Sequence, residues 1–186
     1  NQFDQFDVSR SDLGPHFGNM QQAIYVIQNR LNGNGTLYKT RIKVSNPLSL
    51  KDVGSFHADN IADQLLTKKI ISKQDYIKYK EKDAWKHRKQ YNQEVRDKLL
   101  DQGYDGVRYQ NNHEGSGVCV IPFDSSDITI VGTKQYQNNE ISEELIRCLK
   151  LAGITENNTV EPITYTMPNF HAEYEEATRY DNFKGM

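Results

Sequence analysis

The sequence predicts an α+β fold, and three observations carry that expectation. Apolar residues recur at helical spacing after Asn19, with Met20, Ala23, Ile24, Ile27 and Leu31 on one face. Residues Leu37 to Val44 alternate instead, which places Tyr38, Thr40, Ile42 and Val44 on one side of a strand. Gly103 to Asp124 reads as two short β-prone runs, Val107 to Tyr109 and Val118 to Phe123, flanking a polar loop from Gln110 to Gly117.

The elements follow in order. Asn19 is the expected N-cap of the first helix, because its side chain can accept from the free amides of the first turn. Asn32 to Gly35 is turn-rich, and Asn46 with Pro47 closes the alternating strand. Ser55 is expected to cap a helix running to about Lys68, with Ala58, Ile61, Ala62 and Leu65 on its buried side. Ser72 and Asp75 have capping-box spacing and open a long helix to Leu100, which Gly103 stops. Thr133 to Asn139 reads as a linker, Ser142 to Leu151 as a short helix, and Thr155 to Met186 as a polar, acidic tail.

At 186 residues the chain is long enough for one domain with a substantial core. A net charge of -2 and a pI near 6.2 remove any global electrostatic motive for nucleic-acid binding. The basic run from Lys78 to Arg96 is interleaved with Glu81, Asp83 and Glu94, so it reads as the solvated face of a helix, with a DNA-binding helix as the alternative. Cys119 and Cys148 suit neither a disulfide framework nor a metal site and point to a reduced, cytoplasmic setting. The five histidines lack ligand spacing, so no metal is expected, and no apolar run reaches the length of a membrane span.

Two residues stand out as chemistry-bearing. Glu114 is the sole acid between Asp105 and Asp124. It is either a carboxylate held at a corner for reaction or a merely solubilising loop acid. His16 lies between Gly14-Pro15 and Phe17-Gly18, directly ahead of a helix, and is either a site residue or a packed histidine at a turn.

Three stretches in this order resemble the ADP-ribosyltransferase superfamily: FDQFD from Phe3 followed by GPHFG, SNPLSLKD from Ser45, and GYDGVRYQNNHEGSG from Gly103 running into IPFDSSDI. The pattern is similar to the ADP-ribosyltransferase domain of phage and mobile-element polyvalent proteins and of related bacterial toxins and effectors. It spans roughly residues 3 to 131. The resemblance implies a split β-sheet core with flanking helices over 1-133, followed by a helical or irregular extension over 134-186.

It also implies NAD as substrate and mono-ADP-ribosyl transfer to a protein, in preference to a nucleic acid or small molecule, with NAD glycohydrolysis as side reaction. Glu114 matches the family's glutamate, which stabilises positive charge on the ribose as nicotinamide leaves, and His16 matches the residue that positions the ribose. Phe17 and Gly18 match the residues that follow it, and Tyr25 either stacks on nicotinamide or packs at the helix edge. His113 either contacts the acceptor or is an exposed loop histidine. Asn112 stands where arginine-modifying members carry Glu or Gln, which argues against an arginine acceptor.

The family pattern further includes a strand ending in His-Gly-Thr or His-Gly-Ser ahead of FDQFD. This chain begins at Asn1 without it, so the resemblance implies that the strand was removed or lies ahead of residue 1 in a longer protein; without that histidine, activity would require another, such as His57, to be recruited. A catalytically lapsed relative serving as a binding or virion-structural module is the alternative reading.

Overall fold

The computed structural model describes residues 4–137 and a strand at 174–179. Helix α1 (Met20–Arg30) leads into β1 (Gly35–Ile42) and the short β2 (Pro47–Ser49). Helices α2 (Ala58–Thr67), α3 (Lys73–Tyr79) and α4 (Arg88–Asp101) follow, with a 3-10 turn at Ala84–His87 between the last two. Strands β3 (Gly106–Asn111), β4 (Gly117–Pro122), β5 (Ile128–Tyr136) and β6 (Tyr174–Arg179) complete the α+β architecture.

The strands form two three-stranded sheets. One has the order β5-β1-β6, all antiparallel, and the other has the order β2-β3-β4, with β2 parallel to β3 and β4 closing a hairpin. Alternation along β4 divides the core. Cys119 and Ile121 join the large cluster under α2, α3 and α4, together with Val107, Tyr109, Leu65 and Val95. Val120 points the other way, into a second cluster with Phe6, Phe17, Tyr38 and Ile42, so the two sheets share this apolar layer. Burying each such side chain stabilises the fold by roughly 1.5–3 kcal/mol.

Helix α1 lies as its periodicity predicts. Ala23, Ile24 and Ile27 are buried against Leu37 and Tyr136, with Met20 and Leu31 packed at the edge. Its capping box is complete: Gln22 N–H donates to Asn19 Oδ1 at 3.0 Å and Asn19 N–H to Gln22 Oε1 at 2.8 Å. Tyr38, Thr40, Ile42 and Val44 are all buried, although β1 ends at Ile42.

Four expectations are corrected. The long helix from Ser72 breaks after Tyr79, because Lys78 Nζ meets Glu94 at 2.6 Å and the rings of Tyr79 and Tyr91 lie 5.2 Å apart. In one continuous helix Lys78 and Glu94 would sit about 24 Å apart, so the contact requires α3 and α4 to fold side by side. The Ser72–Asp75 capping box that opens α3 is present. Ser55 does not cap α2: the N-cap position is His57, and Asn92 on α4 supplies the missing acceptor, its Oδ1 taking the Ala58 N–H at 2.9 Å. Thr133 to Tyr136 is not linker but the end of β5, where Val131 forms a bulge between the Lys39–Gly132 and Thr40–Ile130 pairs. Within the tail, 174–179 is a strand that pairs with β1, and the expected helix at Ser142 to Leu151 lies outside the described residues.

Gly103 ends α4 at a φ of 83°, with Gly103 N–H donating to Leu100 O and Tyr104 N–H to Leu99 O. That is the Schellman pattern, and it requires left-handed backbone. Gly103→Ala is expected to cost about 1–2 kcal/mol, read as a lower urea midpoint at unchanged m-value. Asn92→Ala leaves a buried amide without its acceptor and is expected to cost about 1–3 kcal/mol in the same measurement.

Candidate functional site

Phe17 pairs with Val120 through two backbone hydrogen bonds, each 2.8 Å, so the chain before α1 runs along the free edge of β4. Neighbours in extended chain point to opposite faces. Phe17 therefore enters the layer between the sheets, edge-on to Phe6 at 5.1 Å, while His16 faces the other side. There it lines a cleft of about 1610 Å³ whose walls are the 7–12 segment, α1, residues 52–57, α4 and the Glu114 loop. Gly18 is required by close approach: a Cβ there would meet the Gln22 carboxamide and come within 2.9 Å of Cys119 Sγ.

The floor of the cleft is a chain of hydrogen bonds. Asp12 Oδ2 accepts the Phe56 N–H at 2.7 Å, Asp12 Oδ1 lies 2.8 Å from His16 Nε2, and His16 Nδ1 lies 2.9 Å from Tyr109 Oη. In the neutral ring these partners place the proton on Nε2, donated to Asp12, and leave Nδ1 to accept from Tyr109. Burial opposes ionisation of Asp12, yet the hydrogen bond and charge of His16 and the Phe56 amide together hold its carboxyl below the ordinary carboxylate value. Phe56 and Tyr109 stack beneath at 4.4 Å, and burial pushes the Tyr109 phenol up, so it stays protonated. His16 thus offers the cleft a ring whose two nitrogens are already engaged.

Glu114 is held as firmly. Asn111 is 3% exposed; its Oδ1 accepts the His113 and Glu114 amides and its Nδ2 donates to Glu114 Oε2 at 3.0 Å. Arg30, in the last turn of α1, reaches Glu114 Oε1 at 2.6 Å. The loop itself is pinned by α1, since Gln22 Nε2 donates to the carbonyls of Gly115 and Gly117 and Asn19 Nδ2 to that of Ser116. A carboxylate has about four acceptor positions, so Glu114 keeps capacity for a hydroxyl while bound to both partners.

His16, Gly18 and Glu114 therefore line one cleft, whereas Phe17 and Tyr25 do not belong to its surface. Phe17 is 1% exposed in the inter-sheet layer. Tyr25 projects outward because α1 turns Gln22, Val26 and Arg30 toward the cleft and carries the residue between them to solvent. His113 lies at the rim and His57 in the wall, where its Nδ1 meets Asn92 Nδ2 at 2.9 Å. Cys119 also lines the cleft, but burial pushes its thiol up, which withholds the thiolate needed for nucleophilic chemistry.

Asp12, Phe56, Tyr109, Asn111, Gln22 and Arg30 escaped the reading of the sequence. Asp12 lies four residues ahead of His16 and Asn111 three ahead of Glu114, both within reach of a local reading; Tyr109, Phe56 and Arg30, and the grip of Gln22 on the Glu114 loop, depend on tertiary structure. In the basic run, Lys78, Lys80, Lys86 and Arg88 pair with Glu94, Asp63, Asp83 and Asp59. Among the described residues no cluster of His, Cys, Asp and Glu is arranged to hold a metal ion, and no helix is long and apolar enough to cross a membrane.

The lowered carboxyl of Asp12 has a signed consequence. A depressed folded-state value gives stability that is present above the ordinary value of 3.8 and lost as pH falls through the folded one. Asp12→Asn is therefore expected to unfold at lower denaturant than wild type at neutral pH, with the gap closing below about pH 4 in matched urea titrations. Comparison of the chain with protein-family models, curated proteins and solved structures returns no match in any of the three.

Proposed function

We propose that the chain is a mono-ADP-ribosyltransferase of the split-sheet type, which cleaves the nicotinamide–ribose bond of NAD and transfers ADP-ribose to a protein side chain in the cytoplasm. The observation that carries this reading is that Glu114 and His16, which the sequence motifs single out, line the same cleft although 98 positions separate them (114 - 16). The cleft exceeds the 300–1,000 Å³ or so of a typical small-ligand pocket, which suits an extended dinucleotide.

The chemistry asks for a fixed anion. As the bond from ribose C1′ to nicotinamide nitrogen breaks, its electron pair leaves with nicotinamide and positive charge grows on the ribose ring. Glu114, paired with Arg30 and oriented by Asn111, accepts from the ribose 2′-hydroxyl and stabilises that charge. The incoming nucleophile bonds to C1′, and its proton passes to solvent water. His16, fixed by Asp12 and Tyr109, shapes the floor against which the ribose sits and acts as a positioning residue.

The two engaged nitrogens of His16 favour a second reading, a module that holds the dinucleotide without cleaving it. Nicotinamide release from labelled NAD separates the two. Turnover by the intact chain is expected to fall about 10²-fold or more in Glu114→Ala. Binding of ADP-ribose with neither nicotinamide release nor label transferred to lysate proteins would establish the module instead.

A further inference from the structure

We propose that Arg96 on α4, with Ser11 on the segment that lines the cleft with it, forms a phosphate-binding subsite in the cleft. Four arginines line this cleft. Arg10 pairs with Asp7, Arg30 with Glu114 and Arg88 with Asp59. Arg96 differs: it is 5% exposed, its Nε is buried without a hydrogen-bond partner, and no carboxylate lies within ion-pair distance among the described residues. Ser11 Oγ is likewise buried, unpartnered and part of the cleft wall.

The surrounding acids do not resolve this. Asp7, Asp12 and Asp97 contribute favourable charge at Arg96, but each is committed elsewhere. Asp12 uses its two oxygens on His16 and Phe56, Asp7 holds Ser9 and Arg10, and Asp97 accepts from Gln93. A buried guanidinium nitrogen without a partner is costly, and burial alone already lowers the proton affinity of the group. An incoming anion with several oxygens removes that cost. Phosphate matches the planar donor fork of arginine and can also accept from a serine hydroxyl, which a guanidinium-bound monodentate ligand would leave idle. Both orphaned groups line the same cleft, Ser11 on the 7–12 segment and Arg96 on α4. Naming the ligand a diphosphate, as in NAD, rests on the transferase reading; anion capture does not.

The test is calorimetry of the intact chain with inorganic pyrophosphate and with ADP-ribose, with adenosine as the uncharged control. Both phosphorylated probes are expected to bind, about tenfold or more weakly in Arg96→Met, with Arg96→Lys between the two and Ser11→Ala weaker than wild type. Because the charge is unpaired without ligand, the Tm of ligand-free Arg96→Met should not fall, which a purely structural arginine would violate. The subsite is overturned if pyrophosphate does not bind, if Arg96→Met and Ser11→Ala bind it as wild type does, or if both variants unfold at lower temperature without ligand. Arg96-dependent pyrophosphate binding with no nicotinamide release supports the subsite and removes the transferase; Glu114-dependent release with Arg96-independent binding does the reverse.

Discussion

The structure depends on one pairing, the two backbone hydrogen bonds between Phe17 and Val120. They fix the phase of the chain at the edge of β4, and that phase decides which of two adjacent side chains is core and which is site. Slipping the register by one residue would send His16 into the apolar layer between the sheets and Phe17 into the cleft. The ring contacts of Phe17 with Phe6, and of Phe6 with Tyr38, oppose such a slip by making the layer fit one register only.

The walls of the cleft are held by polar contacts between distant segments. Asn92 joins α4 to the start of α2, and Arg88 joins it to Asp59. Lys78–Glu94 and Lys98–Asp75 set α3 beside α4. Each exposed pair contributes little to stability, on the order of 0–1 kcal/mol. Their collective effect is geometric, because they orient the α4 face that carries Asn92 and Arg96 toward the 7–12 segment. Polar groups on that face are satisfied by the protein with few exceptions, and the exceptions mark where a ligand would be felt.

What the sequence disclosed follows the range of the interactions involved. Helix α1, the buried face of β1 and the Glu114 hairpin were legible because their signals are local: apolar periodicity, capping residues and a polar loop between β-formers. The break after Tyr79 carries no Gly or Pro, and only the contact of α3 with α4 explains it. Ser55 looked like a cap because the true acceptor, Asn92, lies 34 residues from Ala58. The end of β5, Thr133 to Tyr136, looked like a linker since it belongs to an edge strand with a polar outer face, anchored late by the buried Tyr136. At the site, His16 and Glu114 were visible as residue types in unusual settings, whereas Tyr25 required the rotation of α1 to be known. Tyr109 stands 93 residues from its partner His16, and the isolation of Arg96 is a property of its surroundings that no motif records.

Helix α1 touches the Glu114 loop along much of its length, through Asn19 and Gln22 at one end and Arg30 at the other. It works as a splint, and a splint has a fixed pitch. Inserting a single residue between Gln22 and Arg30 would rotate the far end by about 100° and carry the guanidinium away from the carboxylate, while the near end kept its grip on Gly115. The number of residues in this helix, more than their identity on its outer face, is therefore what evolution and protein engineers alike must leave untouched.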